Sequence, residues 1–316
     1  MKRRHRKPFL LGLCLAFFGG LFIFSEACKK GSQGGSADST TLKIGVMPSV
    51  DYLPIAVAQE QGFFKRPIKL VRFSSPMERD AALQTAEVDA SVTDYMGAML
   101  LHAKGLPISL SVACQGSFRL VFGRDDKLTN IPHLRGKHIG LSSNTLIEYA
   151  TERALVDATG KPLSYTRVEV QKIPIRLEML SSGELDAAIL PEPFASTGQA
   201  LGLHAIEVPG GLTQGITGLL FQNKVLERSD DLRAFVAGYN EAVSFMQSHP
   251  RSAWIGALGK LLGITKQQAE QIQLPDYQPV TAPSPEALQP ILSWMKEKKL
   301  VPQDYTAEGL IVALPQ

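Results

Sequence analysis

The sequence predicts an α/β protein built as two similar lobes, followed by a helical C-terminal region. Three observations predict it. In the stretch Lys137 to Ala158, the short apolar run His138-Ile139-Gly140-Leu141 reads as a buried strand; Ser142-Ser143-Asn144-Thr145 follows, and then Leu146, Ile147, Tyr149, Ala150, Ala154 and Leu155 recur at helical spacing. The same design stands near the start, as Leu42-Lys43-Ile44-Gly45-Val46, a loop from Met47 to Pro54, and a helix with Ile55, Ala56, Val57 and Ala58. A second echo matches Ala82 to Ala90 (ALQTAEVDA) with Met179 to Ala187 (MLSSGELDA), each a helix end, a turn and the start of a short buried strand. These strands run into Thr93-Asp94-Tyr95 and Leu190-Pro191-Glu192-Pro193. Two such units would face each other across a cleft, and ligands bind beyond the carboxyl ends of strands in sheets of this kind.

In chain order, residues 1–27 read as a secretory signal. Lys2, Arg3, Arg4, Arg6 and Lys7 form a basic start, Phe9 to Phe24 carries no charge, and Ser25-Glu26-Ala27 precedes Cys28. The apolar run is shorter than the ~20 residues of a spanning helix. Residues 28–40 are rich in Gly and Ser and read as a flexible tether. Without residues 1–27, the chain loses five basic groups and one acidic group from its 33 and 30, leaving 28 and 29 and a net charge of −1. The basicity of the full chain therefore belongs to the signal, and no basic patch argues for nucleic acid. Cys14 leaves with the signal, and Cys114 reads as a small buried residue rather than a nucleophile.

The first lobe is expected over 41–124. It holds the strand and helix from Leu42 to Phe64, a strand from Ile68 to Phe73, and a helix opened by Ser75, Pro76 and Glu78. A strand from Val88 to Val92, a helix from Asp94 to Ala103, and strands at Ile108–Cys114 and Phe118–Gly123 follow. Asn130 and Pro132 mark the loop where the chain is expected to cross to a second lobe, 125–215. That lobe adds the helix after Thr145, whose spacing to Glu148 is that of a capping box and which Gly160 and Pro162 are expected to stop. Then come a strand from Tyr165 to Val170, a helix from Ile175 to Ser182, a strand from Ala187 to Leu190, a helix after Pro193 and a strand from Ala205 to Val208. Gly211, Gly215 and Gly218 mark the return crossing, and 216–316 is expected to be helical at 230–247, 254–262, 267–272 and 287–299.

Four stretches carry a resemblance. IGVMPSVDYLPIAVAQEQGFF, MERDAALQTAEVDASVTD, SSNTLIEYATERAL and IPIRLEMLSSGELDAAILPEPFAS resemble the periplasmic solute-binding proteins for alkanesulfonates, taurine, nitrate and thiamine precursors, over about Leu42 to Lys224. The resemblance implies a type 2 periplasmic-binding fold, with two interlobe crossings and two lobes that close on a ligand. It also implies a small-molecule ligand, delivery to an ABC permease with its ATPase subunit, and no cofactor; a monomer is expected. Cys28 after Ala27 resembles the lipidated first residue of a bacterial lipoprotein, with Ser25 and Glu26 departing from the usual box. The expected product is exported and lipid-anchored, facing the periplasm or cell exterior. A thiamine-pyrimidine synthase shares the fold but carries a cysteine-rich motif that this chain lacks, and a regulator of the same fold needs a helix-turn-helix where the signal stands.

No G-x-S-x-G, H-E-x-x-H, phosphate loop or dinucleotide fingerprint is present, and the histidines have no metal-ligand spacing. Candidate ligand-binding residues sit at strand ends: Asp51 and Tyr52; Thr93, Asp94 and Tyr95; Ser143, Asn144 and Thr145; and Glu192, held between two prolines. Gln115 and Ser117 are weaker candidates. Asp94 also suits a helix cap. Three carboxylates, with no Arg or Lys on these loops, suit N–H donors or a positive ring, with Tyr52 or Tyr95 to stack. That favours a nitrogen heterocycle such as a thiamine-type pyrimidine; a sulfonate, taurine or nitrate is the alternative.

Overall fold

A computed structural model describes residues 41–316. The expectations for 1–40, namely the signal, the lipidated Cys28 and the tether, lie outside the described residues. Two five-stranded sheets carry the fold. The first half runs β1 (Leu42–Val46), α1 (Leu53–Gln61), β2 (Ile68–Arg72), α2 (Pro76–Gln84), β3 (Ala90–Asp94), α3 (Tyr95–Ala103), β4 (Ile108–Cys114) and β5 (Phe118–Phe122). The second runs β6 (His138–Leu141), α4 (Leu146–Ala154), β7 (Thr166–Glu169), α5 (Ile173–Ser182), β8 (Ala187–Pro191), α6 (Phe194–Ala200), β9 (Ala205–Glu207) and β10 (Thr217–Gln222). The tail is α7 (Asn223–Leu226), α8 (Ser229–Ser248), α9 (Ile255–Leu262), α10 (Lys266–Gln271) and α11 (Pro285–Glu297). No described helix is long and apolar enough to cross a membrane.

The strand orders are β2-β1-β3-β10-β4 and β7-β6-β8-β5-β9, so each sheet repeats the other. The register repeats too. Ile44 pairs with Ala90 as Ile139 pairs with Ala187. Leu219 lies opposite Val92 as Leu120 lies opposite Ile189. In both halves the aspartate of the echoed motif ties the third strand to the first. Asp89 Oδ2 accepts from Lys43 N–H at 2.9 Å, and Asp186 Oδ2 accepts from His138 N–H at 2.7 Å. The sequence echo is thus a repeated hydrogen-bonded corner, and buried backbone groups require such partners.

Two expected boundaries are corrected. The chain changes sheet between Cys114 and Phe118, ahead of the 125–132 loop, because Phe118–Phe122 pairs antiparallel with β8 and β9. A five-residue, mostly apolar strand carries no sign of which sheet takes it. Thr217 and Gly218, expected in the return crossing, open Thr217–Gln222, the antiparallel strand between β3 and β4. Its six residues are all buried, so it shows no alternation to read.

α4 also ends earlier than expected, at Leu155, because Val156 bridges to Pro162 and Asp157 closes a turn on Thr159 and Lys161. Its box is shifted as well. Thr145 Oγ1 accepts from Ile147 N–H, while Glu148 Oε2 reaches back to Asn144 N–H rather than to that of Thr145. α4 packs Leu146 and Tyr149 into a cluster with α3 and α11, including Trp294. Glu152 Oε2 accepts from the Trp294 indole N–H at 3.0 Å, and its Oε1 meets Lys298 and Arg167. Ile147, Ala150 and Ala154 pack α4 onto the second sheet, while Leu146 and Tyr149 on its other side reach the cluster around α3 and α11.

Candidate functional site

The carboxyl ends of β1, β3, β6 and β8 converge on one cleft. Its walls are the loop after β1 (Met47, Ser49, Asp51), Thr93 and Asp94 of β3, Ser142 and Thr145 after β6, Pro191 of β8, and the first turns of α2, α4 and α5. Counted with its open mouth and the solvent in it, the space is about 620 Å³. Val92, Phe118, Leu146, Ile147 and Ile173 supply an apolar lining.

Two arginines dominate the polar part. Arg79 of α2 and Arg176 of α5 are each the fourth residue of their helix and are 5% and 1% exposed. Arg79 donates from Nη2 to Thr93 Oγ1 at 2.7 Å and from Nε to Asp80 Oδ1 at 2.9 Å, with Nη1 3.6 Å from Met47 Sδ. Arg176 donates from Nη2 to Val170 O at 2.8 Å and to Ser142 Oγ at 3.2 Å, and from Nη1 to Ile189 O at 3.2 Å. Burial pulls the Arg176 guanidinium down to about 10, against a smaller opposing effect from Glu169. The stem of Arg176 passes Gly140, where an added Cβ would stand 3.2 Å from Cγ. A glycine at that strand position makes room for the side chain.

Two carboxylates share the first wall. Asp51 is 7% exposed, and its Oδ1 has no hydrogen-bond partner. Burial raises its pKa to about 6, opposed by Ser49 and by the charge of Arg79. Asp94 is also raised by burial, again with Arg79 opposing, and its Oδ1 caps α3 by accepting from Gly97 N–H at 2.8 Å.

Of the residues expected from sequence, Asp51, Thr93, Asp94 and Thr145 line this cleft. Tyr52 and Tyr95 do not. Each is 1% exposed and packs into the core, so neither is placed to stack on a ligand in the cleft. Ser143 and Asn144 point elsewhere: Ser143 is held by Glu169 through N–H and Oγ, and Asn144 takes a φ of 57° that turns the chain. That turn leaves Ser142 and Thr145 facing inward, 3.0 Å apart at their hydroxyls. Glu192 lies behind the wall at 0% exposure. Burial raises its pKa, Oε2 accepts from Ser196 N–H, and Pro191 takes the lining position. Gln115 and Ser117 stand in the passage between the sheets, where Ser117 O accepts from Glu192 N–H. Cys114 is buried, and burial pushes its thiol up.

The reading of the loops missed both arginines and therefore described an acidic site. They lie on helices, three residues before the echoed motif begins at Ala82 and Met179. Extending that alignment upstream by one turn places Arg79 opposite Arg176, so the sequence held the signal.

The NMT1/THI5 like family model matches residues 49–253. A Haemophilus influenzae protein named for thiamine biosynthesis is 22% identical over 275 residues, which cover 80% of this chain and 85% of that one. Among solved structures, the alkanesulfonate-binding protein of Xanthomonas axonopodis pv. citri, bound to MOPS, has a TM-score of 0.71 at 17% identity, covering 88% of this chain and 100% of that one. The periplasmic nitrate-binding protein of Synechocystis has a TM-score of 0.64 at 11% identity, covering 84% and 83%. These structures establish the two-sheet periplasmic-binding fold for the chain described here.

Proposed function

The chain belongs to the NMT1/THI5 like family, and from that premise we propose that it is the exported substrate-binding protein of an ABC importer. It captures a small organic molecule in the cleft and hands it to a permease driven by an ATPase subunit. The two sheets with their helices act as lobes. The passages at residues 115–117 and 208–216, which join the sheets, act as the hinge. Cys28 carries a lipid, and the Gly- and Ser-rich segment after it tethers the lobes to the membrane.

The observation that carries this reading is the pair of buried arginines. Each is set one turn into a helix at matched positions in the two repeats, and both face one cleft. The first turns of α2, α4 and α5 also point there, and helix N-termini favour negative charge. A site with this field suits a ligand bearing an acidic or strongly accepting group. A nitrogen heterocycle such as a thiamine-type pyrimidine is expected from loops without Arg or Lys; the two arginines come from helices and add a preference for an acidic or strongly accepting group on the ligand. Mass spectrometry of ligand released from the purified protein tests the reading, followed by solution scattering with the compound found. The expected result is one bound small molecule and a smaller radius of gyration. A protein that carries none, and whose radius is unchanged by every candidate, contradicts it.

A further inference from the structure

The two walls of the cleft keep the same arginine and differ in everything charged around it. In the repeat alignment Asp80, Asp94 and Asp51 stand opposite Leu177, Pro191 and Leu146. Arg79 has Asp80 at 2.8 Å, and its charge also acts on Asp51 and Asp94. The three bonds of Arg176 go instead to neutral oxygens, and among the described residues no carboxylate lies within 4.0 Å of it. Glu169, the carboxylate that acts on it from farther away, is held by Ser143. One wall therefore sets carboxylates beside its arginine, and the other has none in contact with its own. Each also keeps a buried polar atom without a partner, Oδ1 of Asp51 and Nε of Arg176. A buried charge is costly unless it is paired, and groups of opposite character on a ligand would pair both.

Resting on the binding-protein reading above, we propose that the ligand is dipolar: an N–H-donating or positively charged end meets Asp51 and Asp94, and an acidic or strongly accepting end meets Arg176. The opposed charges fix its orientation between the lobes. They also reject molecules that carry only one of the two ends, because such a molecule leaves a buried group unpaired.

Short-chain ω-amino sulfonates and ω-amino carboxylates, each compared with the same acid lacking the amine and the same amine lacking the acid, are the probes. Calorimetry is run on the full-length protein freed of bound ligand, with circular dichroism to confirm folding of each variant. The expected result is at least one amino acid or amino sulfonate that binds about tenfold or more tightly than either of its single-ended analogues. In Asp51→Asn that preference shrinks to less than about threefold and the acid-only analogue binds no more weakly than to the wild type, since the change keeps the shape of the side chain and removes the charge that such an analogue leaves unpaired. The proposal is overturned if an acid-only compound binds as tightly as its amino counterpart, if Asp51→Asn weakens both members of a pair equally, or if no two-ended probe binds. A single-ended ligand that still closes the lobes in scattering overturns dipolarity alone. The absence of any closure with any compound overturns the binding-protein reading as well.

Discussion

Arg79 and Arg176 hold the same place in the two repeats, and each reaches the first residue after the first strand of its own half. Arg79 lies 3.6 Å from Met47 Sδ, and Arg176 lies 3.2 Å from Ser142 Oγ. Met47 and Ser142 are themselves matched when Ile44-Gly45-Val46 is aligned with Ile139-Gly140-Leu141. One helix, one strand end and one guanidinium thus form a unit used twice, and the cleft lies where the two units meet.

The glycines of that alignment give the first prediction. A Cβ on Gly140 would stand 2.5 Å from Leu185 Cδ1 and 3.2 Å from Arg176 Cγ, whereas one on Gly45 would find nothing nearer than 3.1 Å. Gly140→Ala is expected to cost about 1–3 kcal/mol by overpacking, and Gly45→Ala less. Thermal unfolding of the two variants measures the difference. Equal losses would mean that the strand beside Arg176 is not under this constraint.

Asp51 gives a pH dependence. Its folded pKa lies near 6, above the ordinary 3.8, so the folded protein keeps a proton that the unfolded chain releases. The stability it contributes is present below about pH 4 and is lost as the pH rises through 6, with an upper limit on the order of 3 kcal/mol. Asp94 and Glu192 are raised by burial and act in the same direction. Melting temperature should therefore fall between about pH 4 and 6.5, and Asp51→Asn should fall less steeply. Identical slopes would show that Asp51 titrates as an exposed carboxylate.

Asp94 caps α3 through Gly97 N–H and lines the cleft. Asp94→Ala should lose roughly 1 kcal/mol of stability, and Asp94→Asn, which retains the acceptor, only a few tenths. Urea denaturation separates the two. A full loss in the asparagine variant would place the stabilising effect in the charge rather than in the cap.

Trp294 is 2% exposed, and its indole N–H relies on Glu152. Glu152→Ala should destabilise by about 1–3 kcal/mol because a buried donor is left unpaired, and Glu152→Gln should recover most of that loss by keeping an acceptor. If alanine and glutamine variants unfold at the same urea concentration, the α4–α11 contact is held by the Tyr149–Trp294 packing at 5.7 Å instead.

Most elements were legible because their signals are local. Ser75 with Pro76 opens α2, and the period of Leu288, Ile291, Leu292 and Met295 gives α11. The echo around Asp89 and Asp186 located two matched corners. Three kinds of information were not local. Phe118–Phe122 and Thr217–Gln222 each complete the other half's sheet, which only long-range pairing decides. Tyr52 and Tyr95 stand beside the site in sequence, but the start of a helix turns them into the core. The arginines carry no loop signal, because a long side chain one turn into a helix reaches the same cleft as the loops do. The electrostatic character of the site changed with them.

Under the proposed function the Arg176 guanidinium holds the ligand in the cleft. Calorimetry of the compound released from the purified protein, against wild type and Arg176→Gln, tests it most directly. One site per chain is expected in the wild type, and binding weaker by about 30-fold or more in a folded variant, as for loss of a buried charged hydrogen bond. Equal affinity in the two proteins would contradict it.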